Sequence, residues 1–190
     1  MIPKFDVEIK RKVNLRLIRW PPEKVLTTTS ETGFLANNHY EDMRGFGWKD
    51  FLAAYKSERR IIEEVDGRSR THKKFETMLE EISDDQHRIE ELGEFEFDIG
   101  VNSATIAVSA CGCAPVSSCR GHILNGKRPY IAFWAKRETA EHITKLVTRK
   151  DLGIENVDLE GYGGLRVYSS NVLLMMSFGK TLYNYFGRRR

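Results

Sequence analysis

Residues 100–122 read GVNSATIAVSACGCAPVSSCRGH. Asn102 is a favoured N-cap residue for a short, small-residue helix, SATIAVSAC, and Gly112 suits its C-cap. Ala114 to Cys119 then reads as a short strand, and the stretch closes on a polar turn. Downstream, Tyr130–Ala135 (YIAFWA) has the look of a buried strand, 138–149 of a helix, and Ile154–Leu159 of another strand. The turn Glu160–Gly164 leads into a last strand, Leu165–Ser169, forming a hairpin. Asn171 caps a terminal helix that runs through Phe186.

Upstream, VNLRLIRW (13–20) alternates apolar and polar residues and ends at Pro21-Pro22, which predicts a strand or extended arm. Thr27–Trp48 is rich in Thr, Asn and Gly and reads as a long loop. Asp50 opens a helix, DFLAAYKSERRIIEEV, with Phe51, Ala54, Tyr55, Ile61 and Ile62 facing the core, and Asp66-Gly67 breaks it. A second helix runs from about Ser69 to Leu92, with Phe75, Met78, Leu79, Ile82 and Ile89 near helical spacing. Gly93 stops it, and Asp84-Asp85 are placed to interrupt it.

The predicted fold is α+β: a helical N-terminal half packed on one face of a small, mostly antiparallel sheet of about four strands. The chain reads as a single domain, 1–190, with an N-terminal strand and long loop (1–48), a helical hairpin (49–93) and an α+β core (94–190). Its 190 residues are 41% hydrophobic with three Trp, seven Tyr and ten Phe, which excludes a disordered chain. No apolar run reaches the roughly 18 residues of a membrane span, and the N-terminus lacks a signal-peptide core. Three cysteines make no disulfide framework, so a cytoplasmic, reducing location is expected.

Thirty Lys and Arg against 27 Asp and Glu leave a formal charge of +3, unevenly spread. Residues 1–20 carry Lys4, Lys10, Arg11, Lys12, Arg16 and Arg19; the chain ends on Arg188–Arg190; residues 76–98 are strongly acidic. Separated basic ends can track a phosphate backbone, so RNA or another phosphate-bearing ligand is the expected partner. A solubilising surface explains the same pattern. A homo-oligomer is compatible with it as well.

Familiar nucleotide motifs fail on inspection. Gly179-Lys180-Thr181 lacks the first glycine of a phosphate loop, whose place holds Leu174, and it lies in an apolar helix. Gly161-Tyr162-Gly163-Gly164 is a hairpin turn rather than a dinucleotide fingerprint, because Arg166 stands in the third glycine's place. A cysteine-phosphatase loop needs Arg six positions after Cys, and none of the three cysteines has it.

All three cysteines and His122 fall within CGCAPVSSCRGH (111–122), which admits three readings. One is a structural zinc site of Cys111, Cys113, Cys119 and His122, although its gaps are not the usual knuckle spacing. The second is an active or binding loop. Cys119 and His122 are then the catalytic pair, with the Cys119 pKa lowered by Arg120; Arg120 is an anion clamp, and Ser117, Ser118 and Gly121 contact substrate. Asn102 joins them first as a cap and second as a ligand contact. The third reading is tight packing with inert cysteines.

Gly100–His122 followed by PYIAFWA resembles a group of uncharacterised bacterial proteins that share a GVNSA…SSCRGH pattern. More remotely, Ser117-Ser118-Cys119-Arg120-Gly121-His122 is similar to the SSCSGR signature of the wybutosine-pathway tRNA methyltransferase family. Ser117, Ser118, Cys119 and Gly121 match it; Arg120 replaces a small residue and His122 an Arg. The resemblance implies a tRNA-modifying methyl transfer with S-adenosylmethionine as cofactor, the site lying at this turn. The preferred expectation is therefore an RNA-modifying or other group-transfer enzyme with its site at Ser117–His122. A non-enzymatic interaction module using the helical hairpin is the alternative, and the zinc site a second one.

Overall fold

The computed structural model describes residues 1–27, 44–85, 98–123, 126–148 and 151–188. It has helices α1 (Glu23–Thr27), α2 (Trp48–Arg68), α3 (His72–Ser83), α4 (Asn102–Ala110), α5 (Arg137–Val147) and α6 (Val172–Leu182). Strands β1 (Ala114–Cys119), β2 (Tyr130–Trp134), β3 (Leu152–Leu159) and β4 (Tyr162–Ser169) form one sheet in the order β1-β2-β4-β3, with every neighbouring pair antiparallel. The α+β expectation holds.

Helix α4 is the hub. Every residue from Asn102 to Ser109 is buried, as befits a helix with no charged side chain and no polar stripe to turn to water. It lies against α2, α6 and the start of the sheet. Gly179 of α6 lets that helix approach closely, since a Cβ there would come within 3.0 Å of the Ala104 Cα. The glycine of the failed phosphate-loop triplet thus has a packing role. Ile131, Phe133, Ile154, Leu165 and Val167 meet these helices from the sheet. The α2–α3 hairpin adds a satellite core of Ile61, Ile62, Val65, Phe75 and Leu79.

The helices do not all lie on one sheet face, which corrects the expectation from sequence. Leu26 of α1 and Trp20 pack with Ala114, Val116, Ala132 and Trp134 in a third cluster on the opposite face. Trp134 is fully buried there, so it offers no surface for stacking a base.

Several boundaries move for physical reasons. Helix α2 starts at Trp48, because Asp50 sits at its third position and accepts the Gly47 N–H at 2.7 Å, a capping-box contact from inside the helix. It also passes through Asp66-Gly67 before ending at Ser69. Helix α3 opens on Thr71, whose hydroxyl accepts the Lys74 N–H at 3.1 Å, and ends at Asp84. Its expected continuation to Leu92, Ile89 included, lies outside the described residues, as does nearly all of the Thr27–Trp48 loop. The β3–β4 turn is only Glu160-Gly161, both at positive φ (55° and 76°) as a tight hairpin requires. Gly163 and Gly164 already belong to β4, where a side chain on Gly163 would fall on the Leu17 carbonyl.

That carbonyl belongs to the N-terminal arm, which is extended without being a fifth strand. Only Leu15–Leu17 forms a 3-10 turn, with the Asn14 side chain accepting the Arg16 N–H. The arm follows β3: Ile154 N–H donates to the Lys10 carbonyl at 2.8 Å, and Arg11 Nε donates to the Leu152 carbonyl at 3.3 Å. Asn14 N–H donates to Asn156 Oδ1 at 2.7 Å. Further back, the Phe5 N–H donates to the Ser170 carbonyl at 2.7 Å. Among the described residues no helix is long and apolar enough to cross a membrane.

Candidate functional site

Strand β1 carries the expected turn at its C-terminal end. Ser117 pairs with Ala132 and Cys119 with Tyr130, so both share one sheet face with Tyr130, while Ser118 points to the other. Ser117 Oγ lies 3.0 Å from the Tyr130 hydroxyl. After β1 the chain turns at Gly121 (φ 85°) and forms a small bridge: His122 N–H donates to the Lys127 carbonyl at 2.8 Å, and Lys127 N–H returns to the His122 carbonyl at 3.2 Å. From α3, Glu76 Oε1 accepts the Ile123 N–H at 2.7 Å and ties the turn to the helical hairpin.

The turn meets a residue that the sequence alone did not single out. Asp98, four residues before α4, brings its carboxylate to Cys119 and His122. One ligand-type atom from each of the three lies within 4.8 Å of the other two. Asp98 is itself held from the turn, with Arg120 N–H donating to Oδ2 at 3.1 Å and Arg120 Nη1 to Oδ1 at 3.4 Å. Asp98 belongs to the acidic stretch 76–98, where it is indistinguishable from bulk surface charge until the fold selects it.

Arg120 is not a free anion clamp. Only 6% exposed, its guanidinium faces Asp98 at 3.4 Å and Glu80 at 3.6 Å, so its charge is met inside the protein and it orders the turn. Nor does it lower the Cys119 pKa overall. Burial pushes the thiol up and the Asp98 charge adds to that, outweighing the Gly121 N–H bond to Sγ (3.3 Å) and the charges of Lys127 and Arg120. At neutral pH Cys119 is a thiol.

The Cys3His set does not assemble. Cys111 caps the end of α4 and Cys113 precedes β1, whereas Cys119 ends it, so roughly 20 Å of strand separates them. Among the described residues, only Asp98, Cys119 and His122 gather as metal-capable groups. Burial pushes the Cys113 thiol well up, which leaves it an inert core group. None of the three cysteines forms a disulfide.

Asn102 is 1% exposed and is the first residue of α4 rather than its cap; neither side-chain amide atom has a hydrogen-bond partner. The capping is done from α2 by Glu58, fully buried. Its carboxylate accepts N–H groups from Gly100 (2.6 Å), Asn102 (2.9 Å) and Ser103 (3.2 Å), together with the Ser103 hydroxyl. As one of three Glu residues on an amphipathic, charge-rich helix, Glu58 gave little sign of this.

The sheet face that carries Ser117 and Cys119 also carries a ladder of arginine and tyrosine. Arg166 lies over the Tyr130 ring at 5.1 Å, and Arg128 over the Tyr168 ring at 3.5 Å. Both guanidiniums share the Glu155 Oε1 oxygen at 3.4 Å, so two positive charges meet one negative. Arg128 and Arg166 remain 33% and 39% exposed. No family model, curated protein or solved structure matches the chain. The site must speak through its own chemistry.

Proposed function

We propose that the protein is a cytoplasmic group-transfer enzyme acting on RNA, with its active site at the Ser117–His122 turn. The convergence of Asp98, Cys119 and His122 within 4.8 Å carries this reading. A thiol, an imidazole and a carboxylate gathered at a strand end form a donor set that mere packing does not require. Cys119 and His122 are the pair through which the reaction runs, and Asp98 orients them. Ser117 and Tyr130 line the approach, with Arg128 and Arg166 beside them for phosphate and base. The methyl donor that the sequence resemblance implies is S-adenosylmethionine, which leaves as S-adenosylhomocysteine. Three cysteines without a disulfide fit a reducing compartment.

The test is binding of labelled mixed tRNA by fluorescence anisotropy between about 50 and 200 mM salt. Wild type is expected to bind more weakly as salt rises. The Arg128→Ala/Arg166→Ala double variant should lose about ten-fold in affinity, with a log–log salt slope shallower by about 1.4, or 0.7 per lost contact to single-stranded RNA. With methyl-labelled S-adenosylmethionine, label should reach tRNA in wild type and not in Cys119→Ala or His122→Ala. Absence of salt-dependent binding by wild type overturns the RNA assignment.

A second reading, an interaction module built on the helical hairpin, is favoured by one feature. A groove of about 430 Å³ runs between α2 of that hairpin and α6; Ile2, Tyr55, Ile62, Leu173 and Met176 line it together with the polar Arg59, Glu63, Asp66, Ser177 and Lys180. A tRNA-silent protein would leave that reading standing.

A further inference from the structure

We propose that Asp98, Cys119 and His122 form a mononuclear site for a zinc-class divalent metal, with an open fourth position. The inference rests on the reading of this turn as the active site and supplies that site's cofactor. The donors are one thiol sulfur, one imidazole nitrogen and one carboxylate oxygen, mutually within 4.8 Å. Bonds of about 2.0–2.3 Å in a tetrahedron place donors some 3.5 Å apart, so closure needs an inward shift of about 1 Å. That is within the reach of side-chain rotation on a fixed backbone.

The backbone is fixed. Cys119 is hydrogen-bonded within the β1–β2 ladder, His122 is pinned by its bridge to Lys127, and the Asp98 carbonyl accepts the Val101 N–H at 3.1 Å. The outer groups are of the kind that metal sites use. Gly121 N–H donates to the Cys119 sulfur at 3.3 Å, a bond that stabilises a metal thiolate, and two Arg120 donors orient the carboxylate.

Ligand chemistry selects the metal. A thiolate disfavours Mg²⁺ and Ca²⁺, which prefer all-oxygen sets, whereas sulfur, nitrogen and oxygen together suit Zn²⁺ and its neighbours Co²⁺ and Fe²⁺. Three protein ligands with a half-exposed His122 and Asp98 leave one position for water or substrate, as in catalytic zinc sites. Charge also balances. The metal displaces one proton from the Cys119 thiol to solvent, and thiolate plus carboxylate then neutralise the dication. Cys119 and His122 serve the reaction at this centre as its ligands.

The experiment titrates Co²⁺ into chelator-treated, reduced full-length protein. One equivalent per chain should produce the near-ultraviolet thiolate-to-cobalt charge-transfer absorption together with visible bands of a four-coordinate ion. Zn²⁺ should bleach both. Binding should strengthen as pH rises, because a proton leaves. Cys119→Ser should abolish the charge-transfer band, and Asp98→Asn and His122→Ala should weaken Co²⁺ by at least about ten-fold. Cys111→Ser should leave the spectrum unchanged. Asp98 is 32% exposed, so its variant tests the site even where Cys119→Ser fails to fold.

No band in wild type, or a band lost with Cys111→Ser and kept in Cys119→Ser, overturns the proposal. Failure of the two readings is distinguishable. tRNA methylation that needs Cys119 without any cobalt band rejects the metal alone. A one-to-one cobalt site in a protein that ignores tRNA rejects the RNA assignment and keeps the metal.

Discussion

Glu58→Ala is expected to destabilise the protein by about 3–5 kcal/mol, measured by denaturant unfolding followed by circular dichroism. The carboxylate lies on α2, yet it satisfies backbone donors of the segment opening α4, which as a helix N-terminus has no internal partners for its first amides. Removing it strands the N–H groups of Gly100, Asn102 and Ser103 and the Ser103 hydroxyl inside the protein. Each buried donor without a partner costs about 1–3 kcal/mol, and the α4 N-terminus also loses a carboxylate that its dipole favours. Glu58→Gln should cost less, because the amide oxygen still accepts, while its NH₂ can only turn to the Ser103 oxygen. A loss below about 1 kcal/mol in Glu58→Ala would show that water takes over the donors.

The same residue gives a pH signature. Burial raises the Glu58 pKa above its ordinary 4.5, outweighing the four donors that favour the ionised form. The folded state therefore holds this proton more tightly than the unfolded chain does. The stabilising contribution is full below 4.5 and is lost as pH rises through the raised folded value. Glu58→Gln cannot ionise, so the stability gap between wild type and this variant should narrow as pH rises above 4.5. A gap that widens with pH reverses the sign and rejects a raised pKa.

Gly121→Ala is expected to cost about 2–4 kcal/mol and to open the site. The residue sits at φ 85°, which costs an L side chain about 1 kcal/mol, and its new Cβ would meet three groups at once. Those are the Lys127 carbonyl oxygen at 2.7 Å, and the Phe5 ring and Pro129 Cδ at 2.9 Å each. The carbonyl is rigid and the turn is close-packed, so overpacking adds about 1–3 kcal/mol. Relief must displace either the arm at Phe5 or the bridge at His122. The Gly121 N–H bond to Cys119 is the first contact to go. Native-state alkylation of Cys119, followed by mass spectrometry, should then quicken by about ten-fold or more, with Cys113 unaffected as an internal control. Unchanged labelling with a loss under about 0.5 kcal/mol would place the turn outside the reactive site.

Local pattern carried the sheet and most helices into view. Ala114–Cys119 and Tyr130–Trp134 emerge at nearly their observed bounds, because short apolar runs bounded by turn residues have few alternatives. Asn171 as a cap is equally local: its side chain accepts the Leu174 N–H at 3.0 Å. Asn102 failed for a long-range reason, since Glu58, forty-four positions earlier, already satisfies the amides it would have capped. The site divides the same way. Ser117, Cys119 and His122 were legible as a cluster in sequence, whereas Asp98, Tyr130, Arg128 and Arg166 reach it only through tertiary proximity. Arg120 beside Cys119 suggested an activated thiol; burial, with the Asp98 charge adding to it, reverses that inference.

The arm that accompanies β3 has a bearing on how molecules of this protein meet one another. Strand β3 ends the sheet, and its outward backbone and side-chain groups at Leu152, Ile154 and Asn156 are taken by Lys10, Arg11 and Asn14. An open row of this kind is a template for pairing with another chain. Lysine and arginine fill the covering segment, so it shields the row without offering a fresh one. The N-terminal arm therefore caps the β3 edge of the sheet, and shortening it would bare that row to pairing with another chain.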